Sequence, residues 1–198
     1  MKKRTLDYIL KVRLPLVLFV VALSFVLTFY ISRAERDGIG YTPEQPINYS
    51  HKLHAGDMKI DCQYCHTGVE KGRHALVPSV SICMNCHTVA KTDSPEIIKL
   101  TEYYNKGIPV PWKRIHKVPD YAYFNHSVHV NKGIDCADCH GDIRRMEKVS
   151  QVKGWTMTAC LDCHRNPEKI IKSELSLANI GDISKMKKGP ENCWACHR

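Results

Sequence analysis

The chain has 198 residues, and 29 Lys and Arg against 20 Asp and Glu give it a formal net charge of +9. Such a balance suggests nucleic acid or an acidic partner, yet the sequence shows no phosphate-binding loop and no nucleophile paired with a base. All ten cysteines fall into close pairs with none left over, which excludes a lone reactive thiol.

Residues 1–13 carry five cations (Lys2, Lys3, Arg4, Lys11 and Arg13) and one acid, Asp7. The next 18 residues, 14–31, carry no charge. As a helix they would be roughly 27 Å long, close to a bilayer's hydrocarbon core. Pro15 lies in the first turn, where a missing N–H costs little. The excess of cations before the run puts the N-terminus in the cytoplasm and the rest of the chain across the membrane. Ser32 and Ala34 satisfy a small-x-small cleavage site, but Arg33 sits between them and the run is long for a signal peptide, so an uncleaved single-pass anchor is expected. Residues 32–50 hold Gly38, Gly40, Pro43 and Pro46 without apolar periodicity and read as an extended linker.

Beyond the linker come five Cys-x-x-Cys-His motifs: Cys62/Cys65-His66, Cys83/Cys86-His87, Cys136/Cys139-His140, Cys160/Cys163-His164 and Cys193/Cys196-His197. A redox disulfide needs one such pair, and structural zinc does not require His directly behind the second Cys. Covalent haem c requires both, because two thiols add to the haem vinyl groups and the adjacent His becomes the proximal iron ligand. Five haems c are therefore expected, and their propionates would add about ten negative charges, which accounts for the basic excess without nucleic acid. The 162 residues of 37–198 are too few to bury five macrocycles in a two-layer core. The expected fold is a single N-terminal transmembrane helix followed by a small, mostly α/irregular multihaem c-type domain with a haem-dominated core. Export fits the anchor's orientation: a bacterial cytoplasmic membrane, with the haem domain in the periplasm.

The haem region repeats itself. "YSHKLHAGDMKIDCQYCH" followed by "SICMNCH" aligns with "FNHSVHVNKGIDCADCH" followed by "TACLDCH"; His51, His54, Cys62 and Cys83 match His126, His129, Cys136 and Cys160 at offsets of 75, 75, 74 and 77. Two two-haem modules, 51–87 and 126–164, are thus joined by 88–125 and followed by 165–198, which carries the fifth site. Each module opens with His-x-x-His, whose residues share one side of a helix. An iron that only carries electrons needs a sixth ligand, so His51, His54, His126 and His129 are candidate distal ligands. For the fifth iron His116 is the first candidate, with Met157 or His74 as alternatives and Met146 and Met186 behind them; Met157 also suits packing against porphyrin.

The anchor, the five motifs, "NYSHKLHAG", "YFNHSVHVNKG" and "TACLDCHRNPE" together resemble the pentahaem cytochrome c subunit of alternative complex III, a bacterial quinol:cytochrome c oxidoreductase. Each two-haem unit is similar to the class III, or c3/c7-type, multihaem cytochromes. The resemblance implies a respiratory electron-transfer subunit, no enzyme by itself. Its implied partners are an iron–sulfur/molybdopterin-like subunit, polytopic quinol-binding subunits and a monohaem cytochrome c. The alternatives are a membrane-anchored multihaem quinol dehydrogenase and a stand-alone anchored shuttle. Tetrahaem quinol dehydrogenases usually have Met two residues after the first haem-binding His, where this chain has Gly68. The anchor's polar side chains are Ser24, Thr28 and Tyr30, and the nearest acids, Glu35 and Asp37, lie beyond it. Quinol oxidation releases protons and needs a base within reach, so it is expected on a partner.

Overall fold

The computed structural model describes residues 3–197, without the side chains of 3–5 and 32–37. The side chains of Lys2, Lys3, Arg4, Ser32, Arg33, Ala34, Glu35, Arg36, Asp37 and Arg198 therefore lie outside the described residues. The chain divides into two units, 1–38 and 39–198.

In the first unit α1 (Lys3–Tyr8) runs through a π turn (Ile9–Arg13) into α2 (Leu14–Asp37). The apolar span within it, Leu6–Ile31, is 26 residues long and sufficient to cross a membrane. It starts eight residues before the expected 14–31 because Leu6, Ile9, Leu10 and Val12 keep the helix surface apolar between the charges. The Arg13 guanidinium folds back over the Tyr8 ring, 5.4 Å from its centroid. At the other end α2 continues six residues into the expected linker and stops before Gly38, whose φ of 63° suits a helix C-terminus.

In the second unit all regular structure among the described residues is helical. Its elements are a π turn (Lys52–Asp57), α3 (Cys62–Cys65), α4 (Val80–His87), α5 (Pro95–Lys106), α6 (His126–Val130), α7 (Cys136–His140), a 3-10 turn (Ile143–Arg145), α8 (Met157–Arg165), α9 (Pro167–Ile170), α10 (Glu174–Ile180), a 3-10 turn (Ile183–Lys185) and α11 (Cys193–Cys196). The stretch 39–50 is tied down rather than free. Gly40 N–H donates to the Gln151 carbonyl at 2.8 Å, and Gln151 N–H donates to Tyr41 at 3.1 Å. The Gln45 amide donates to the Lys113 carbonyl and accepts from its N–H, both at 2.9 Å.

Between the modules lies α5, a helix that the motif pattern does not announce. Pro95 fills its first turn, Glu96 favours its positive end, and Gly107 closes it at φ 64°. Leu100 of this helix joins Ile47, Met84 of α4 and Val110 in the protein's one buried apolar cluster among the described residues, flanked by Val80, Cys83, Ile97, Tyr103 and Trp112.

The two modules embrace each other. The His-x-x-His turn of the first lies on the segment behind the third Cys-x-x-Cys-His motif: Lys52 N–H donates to Met146 at 3.0 Å, Ser50 Oγ donates to Glu147 at 2.6 Å, and Lys52 pairs with Glu147 at 3.3 Å. A Cβ on Gly56 would stand 2.2 Å from the Arg144 carbonyl oxygen, so only glycine fits there. Reciprocally, α6 of the second module lies on the loop behind the first site. Ser127 N–H donates to Gly72 at 3.1 Å, and Asn131 Nδ2 donates to Glu70 at 3.2 Å.

The extension after the second module is latched by a buried polar knot. Asp138, between the cysteines of α7, accepts from the N–H groups of Lys172 at 2.7 Å and Ser173 at 2.9 Å, and from the hydroxyl of Ser176, which is wholly buried. That hydroxyl in turn accepts from Asp135 N–H at 2.6 Å, and Ser173 Oγ donates to Asp135 at 2.8 Å. Every buried polar group named here has a partner, as burial demands.

Candidate haem-binding sites

All five attachment motifs lie on helical turns. Asp61 caps α3 by accepting from Gln63 N–H at 2.7 Å, and the equivalent Asp135 caps α7 through Ala137 N–H at 3.3 Å. Thr156 caps α8 through Ala159 N–H at 3.2 Å, and Asn192 caps α11 through Ala195 N–H at 2.9 Å. One helical turn sets cysteines three apart on the same side, with the following imidazole beside them. The odd sites of the repeat, on α3 and α7, are single short turns; the even sites end the longer α4 and α8. The ten cysteines form no disulfide.

The imidazoles are oriented by the backbone. Nδ1 of His66 donates to the Leu76 carbonyl at 2.7 Å, that of His87 to Ala90 at 3.0 Å, that of His164 to Pro190 at 2.7 Å and that of His197 to Tyr121 at 2.9 Å. The distal candidates follow suit: His54 to Ser50 at 2.9 Å, His126 to Arg73 at 2.7 Å and His129 to Asn125 at 2.7 Å. A carbonyl can only accept, so Nδ1 holds the proton and Nε2 keeps its lone pair for a metal. The backbone accepts strain to do this at Leu76, whose φ of 66° is left-handed for a branched residue. Gly189 packs flat on the His164 ring, where a Cβ would lie 2.4 Å from Cγ.

Three distal candidates face proximal histidines at nearly one distance. Ring centroids are 6.2 Å apart for His54 and His87, 6.1 Å for His129 and His164, and 6.4 Å for His126 and His140. Two imidazoles on opposite faces of one metal, each bonded at about 2 Å, would have centroids about 6 Å apart. In each module an aromatic residue two places before the first His wedges the pair. Tyr49 stands 4.8 Å from His51 and 4.4 Å from His54, and Phe124 stands 4.8 Å from His126 and 4.6 Å from His129. The sequence alignment already contained this signal in the matched "YSH" and "FNH", although neither ring is a ligand.

His51 and His126 both sit where the modules meet, and the largest electrostatic neighbour of His51 is His66. His116 stands edge-on to His140 at 4.3 Å, with no ring contact to His197 among the described residues. It is hydrogen-bonded to the Ser150 backbone. Its Nε2 is buried without a partner, as are Nδ1 of His51 and Nδ1 of His140. His74 is exposed, but its neighbour Arg73 lies 4.7 Å over the Tyr123 ring, and Tyr123 N–H donates to Cys196 at 2.7 Å, so that loop reaches the fifth site. Met157 is 65 % exposed. Burial favours the neutral form of four of the histidines, His51, His116, His129 and His140, and a ligand must be neutral. Desolvation first, then His66 and His54, push His51 down to about 4; desolvation, then His116 and His126, push His140 down to about 3. His116 and His129 are lowered chiefly by desolvation as well.

Paired thiols on a helical turn, an imidazole fixed with Nε2 free, and a second imidazole facing it form the donor set of covalently bound haem c, and the residues present fit that group. Residues 122–198 match the family described as cytochrome c7 and related cytochrome c. Over 176 residues the chain is 28 % identical to the menaquinone reductase, multiheme cytochrome c subunit, of Nitratidesulfovibrio vulgaris, covering 78 % of this chain and 77 % of that protein. It is also 22 % identical over 156 residues to cytochrome c-552 of Desulfotalea psychrophila, covering 59 % of this chain and 30 % of that protein.

Proposed function

We propose that the chain is a membrane-anchored pentahaem cytochrome that passes electrons between a quinone-linked membrane complex and a periplasmic cytochrome c or terminal oxidase. The facing imidazole pairs with backbone-fixed Nδ1 carry this reading, because a doubly ligated iron exchanges electrons and leaves no position for a substrate. Bound haem would supply one-electron chemistry between ferric and ferrous iron. The chain's own work is to hold the rings. Cys62, Cys65, Cys83, Cys86, Cys136, Cys139, Cys160, Cys163, Cys193 and Cys196 anchor the five groups, and His66, His87, His140, His164 and His197 are the proximal ligands. His54 serves the second site and His129 the fourth, while His51 and His126 divide the first and third. His116, by its free buried Nε2, and His74, by its loop's reach to Cys196, compete for the fifth.

The partners in this reading are an iron–sulfur/molybdopterin-like subunit, polytopic quinol-binding subunits and a monohaem cytochrome c. The N-terminal helix would sit in the bacterial cytoplasmic membrane with the haem domain in the periplasm. A second reading, in which electrons flow towards menaquinone, is favoured by the name of the Nitratidesulfovibrio relative. Two measurements test the proposal. Intact mass should show five haem additions and alkylation no free thiol; fewer additions defeat the five-haem reading. The purified chain mixed anaerobically with reduced short-chain quinol should stay oxidised until the polytopic subunits are restored. Rapid, inhibitor-sensitive reduction of the lone chain would make it a quinol dehydrogenase itself.

A further inference from the structure

We infer that the five attachment sites form one unbranched file that does not follow chain order: second, first, third, fourth, fifth. The inference rests on the five-haem reading and adds the sequence of electron steps within it. Each link has its own contact. Between the second and first sites, Asn85, inside the Cys83/Cys86 pair, donates from Nδ2 to the Tyr64 hydroxyl, inside the Cys62/Cys65 pair, at 3.1 Å. The first and third sites meet where Gly56, shortly before Cys62, packs against the Arg144 carbonyl, shortly after His140. Around that junction the modules are clasped reciprocally, through Lys52 and Met146 on one side and Gly72 and Ser127 on the other.

From the third site to the fourth, Trp155 stands 5.9 Å from the His140 ring, two residues before α8 begins. Lys153, two residues before Trp155, donates to the Asp138 carbonyl within the third motif. From the fourth to the fifth, His164 donates to Pro190, and Arg165 pairs with Glu191 at 2.7 Å, directly ahead of the Cys193 turn.

The ends of this file are the second and fifth sites, and both are open: Cys86 and Cys193 are its two exposed cysteines among the described residues, and Trp194 is 80 % exposed. An electron entering at one end crosses the junction of the two repeats once and leaves at the other. One electron leaves each site as the next receives it, and no atom is exchanged. The reductant is the quinol-linked complex of the proposed function, and the oxidant is the acceptor cytochrome or oxidase.

The test uses the fully loaded, full-length chain. His54→Ala should make the second-site iron high-spin, and His129→Ala the fourth. A fast-relaxing high-spin centre shortens the spin relaxation of its neighbours in pulsed EPR. The file predicts that His54→Ala quickens one low-spin signal, whereas His129→Ala quickens two. One signal for both variants, or two for His54→Ala, overturns the order. If either variant does not load, iron anomalous scattering from crystals of the unaltered protein decides. Nearest-neighbour irons must pair as second–first, first–third, third–fourth and fourth–fifth, and any other pairing overturns the file. Five irons in another order would leave the proposed function standing, whereas a count other than five would strike at that function first.

Discussion

Gly189→Ala should unseat the proximal ligand of the fourth site. Built on the present backbone, the added Cβ would lie 2.4 Å from His164 Cγ, 2.6 Å from Cδ2 and 2.7 Å from Nδ1. Real Cβ atoms do not approach so closely, so the ring or the 189–190 backbone must move. The ring is pinned by its 2.7 Å bond to Pro190, and Gly189 N–H itself donates to the His164 carbonyl at 3.1 Å, so either movement breaks contact with the other segment. Overpacking of this kind costs about 1–3 kcal/mol and a lost hydrogen bond about 0.5–1.5 kcal/mol. Together they amount to about 2–4 kcal/mol, or roughly 4–16 °C in melting temperature for a domain of this size. The assays are thermal melting followed in the haem Soret band and EPR of the ferric protein, in which one of the low-spin signals should shift or turn high-spin. Gly72→Ala is the control, since a Cβ there meets nothing within 4 Å. An unaltered melting temperature and spectrum for Gly189→Ala, equal to the control, would refute the argument that His164 is positioned by close backbone approach.

Three further outcomes are expected. Asp138→Ala removes the acceptor of Lys172 N–H, Ser173 N–H and the Ser176 hydroxyl, so denaturant unfolding should show a loss of about 3 kcal/mol or more, and limited proteolysis should cut first between 165 and 192. Resistance equal to the parent would mean that the extension is held elsewhere. His51→Ala and His126→Ala should each turn one iron high-spin without loss of covalent haem; a fully low-spin spectrum removes that residue from the ligand set. Acid should loosen the clasp between the modules: Ser50 and Lys52 hold the Glu147 carboxyl below the usual carboxylate range, so its contribution is present above that range and is lost as pH falls through it. Glu147→Gln should flatten the change in denaturation midpoint between about pH 6 and about pH 3, and an unaltered slope contradicts this.

What could be read from the sequence is what chemistry forces into adjacency. The two thiols that would bind one haem and the His that would ligate its iron must be neighbours in the chain, so the five candidate sites are visible as motifs. The distal candidates were visible because duplication repeated them, and the structure sets three of them opposite proximal rings. The reciprocal clasp of the modules was hidden, because Gly56 against Arg144 and Ser127 against Gly72 are long-range contacts with no periodic signal. Helix α5 was also missed, although "SPEIIKLTEYYNKG" carries its start in Ser94-Pro95-Glu96 and its stop in Gly107. The expected linker shows in its Gly and Pro residues as irregular backbone, but the contacts by which the side chain of Gln45 and the N–H of Gly40 fix it carry no local signal.

Only six apolar side chains are buried among the described residues, and four of them form one small cluster near α4 and α5. The second module and the extension contribute Ile171 alone to that set. Polypeptide of this composition cannot collapse by itself, because ordering each residue costs about 1–2 kcal/mol of conformational entropy. On the five-haem reading, cofactor attachment would be the folding reaction and not a decoration of a finished fold: each cysteine pair would meet its haem on an open chain, and a chain that missed one attachment would offer proteases an unfolded stretch.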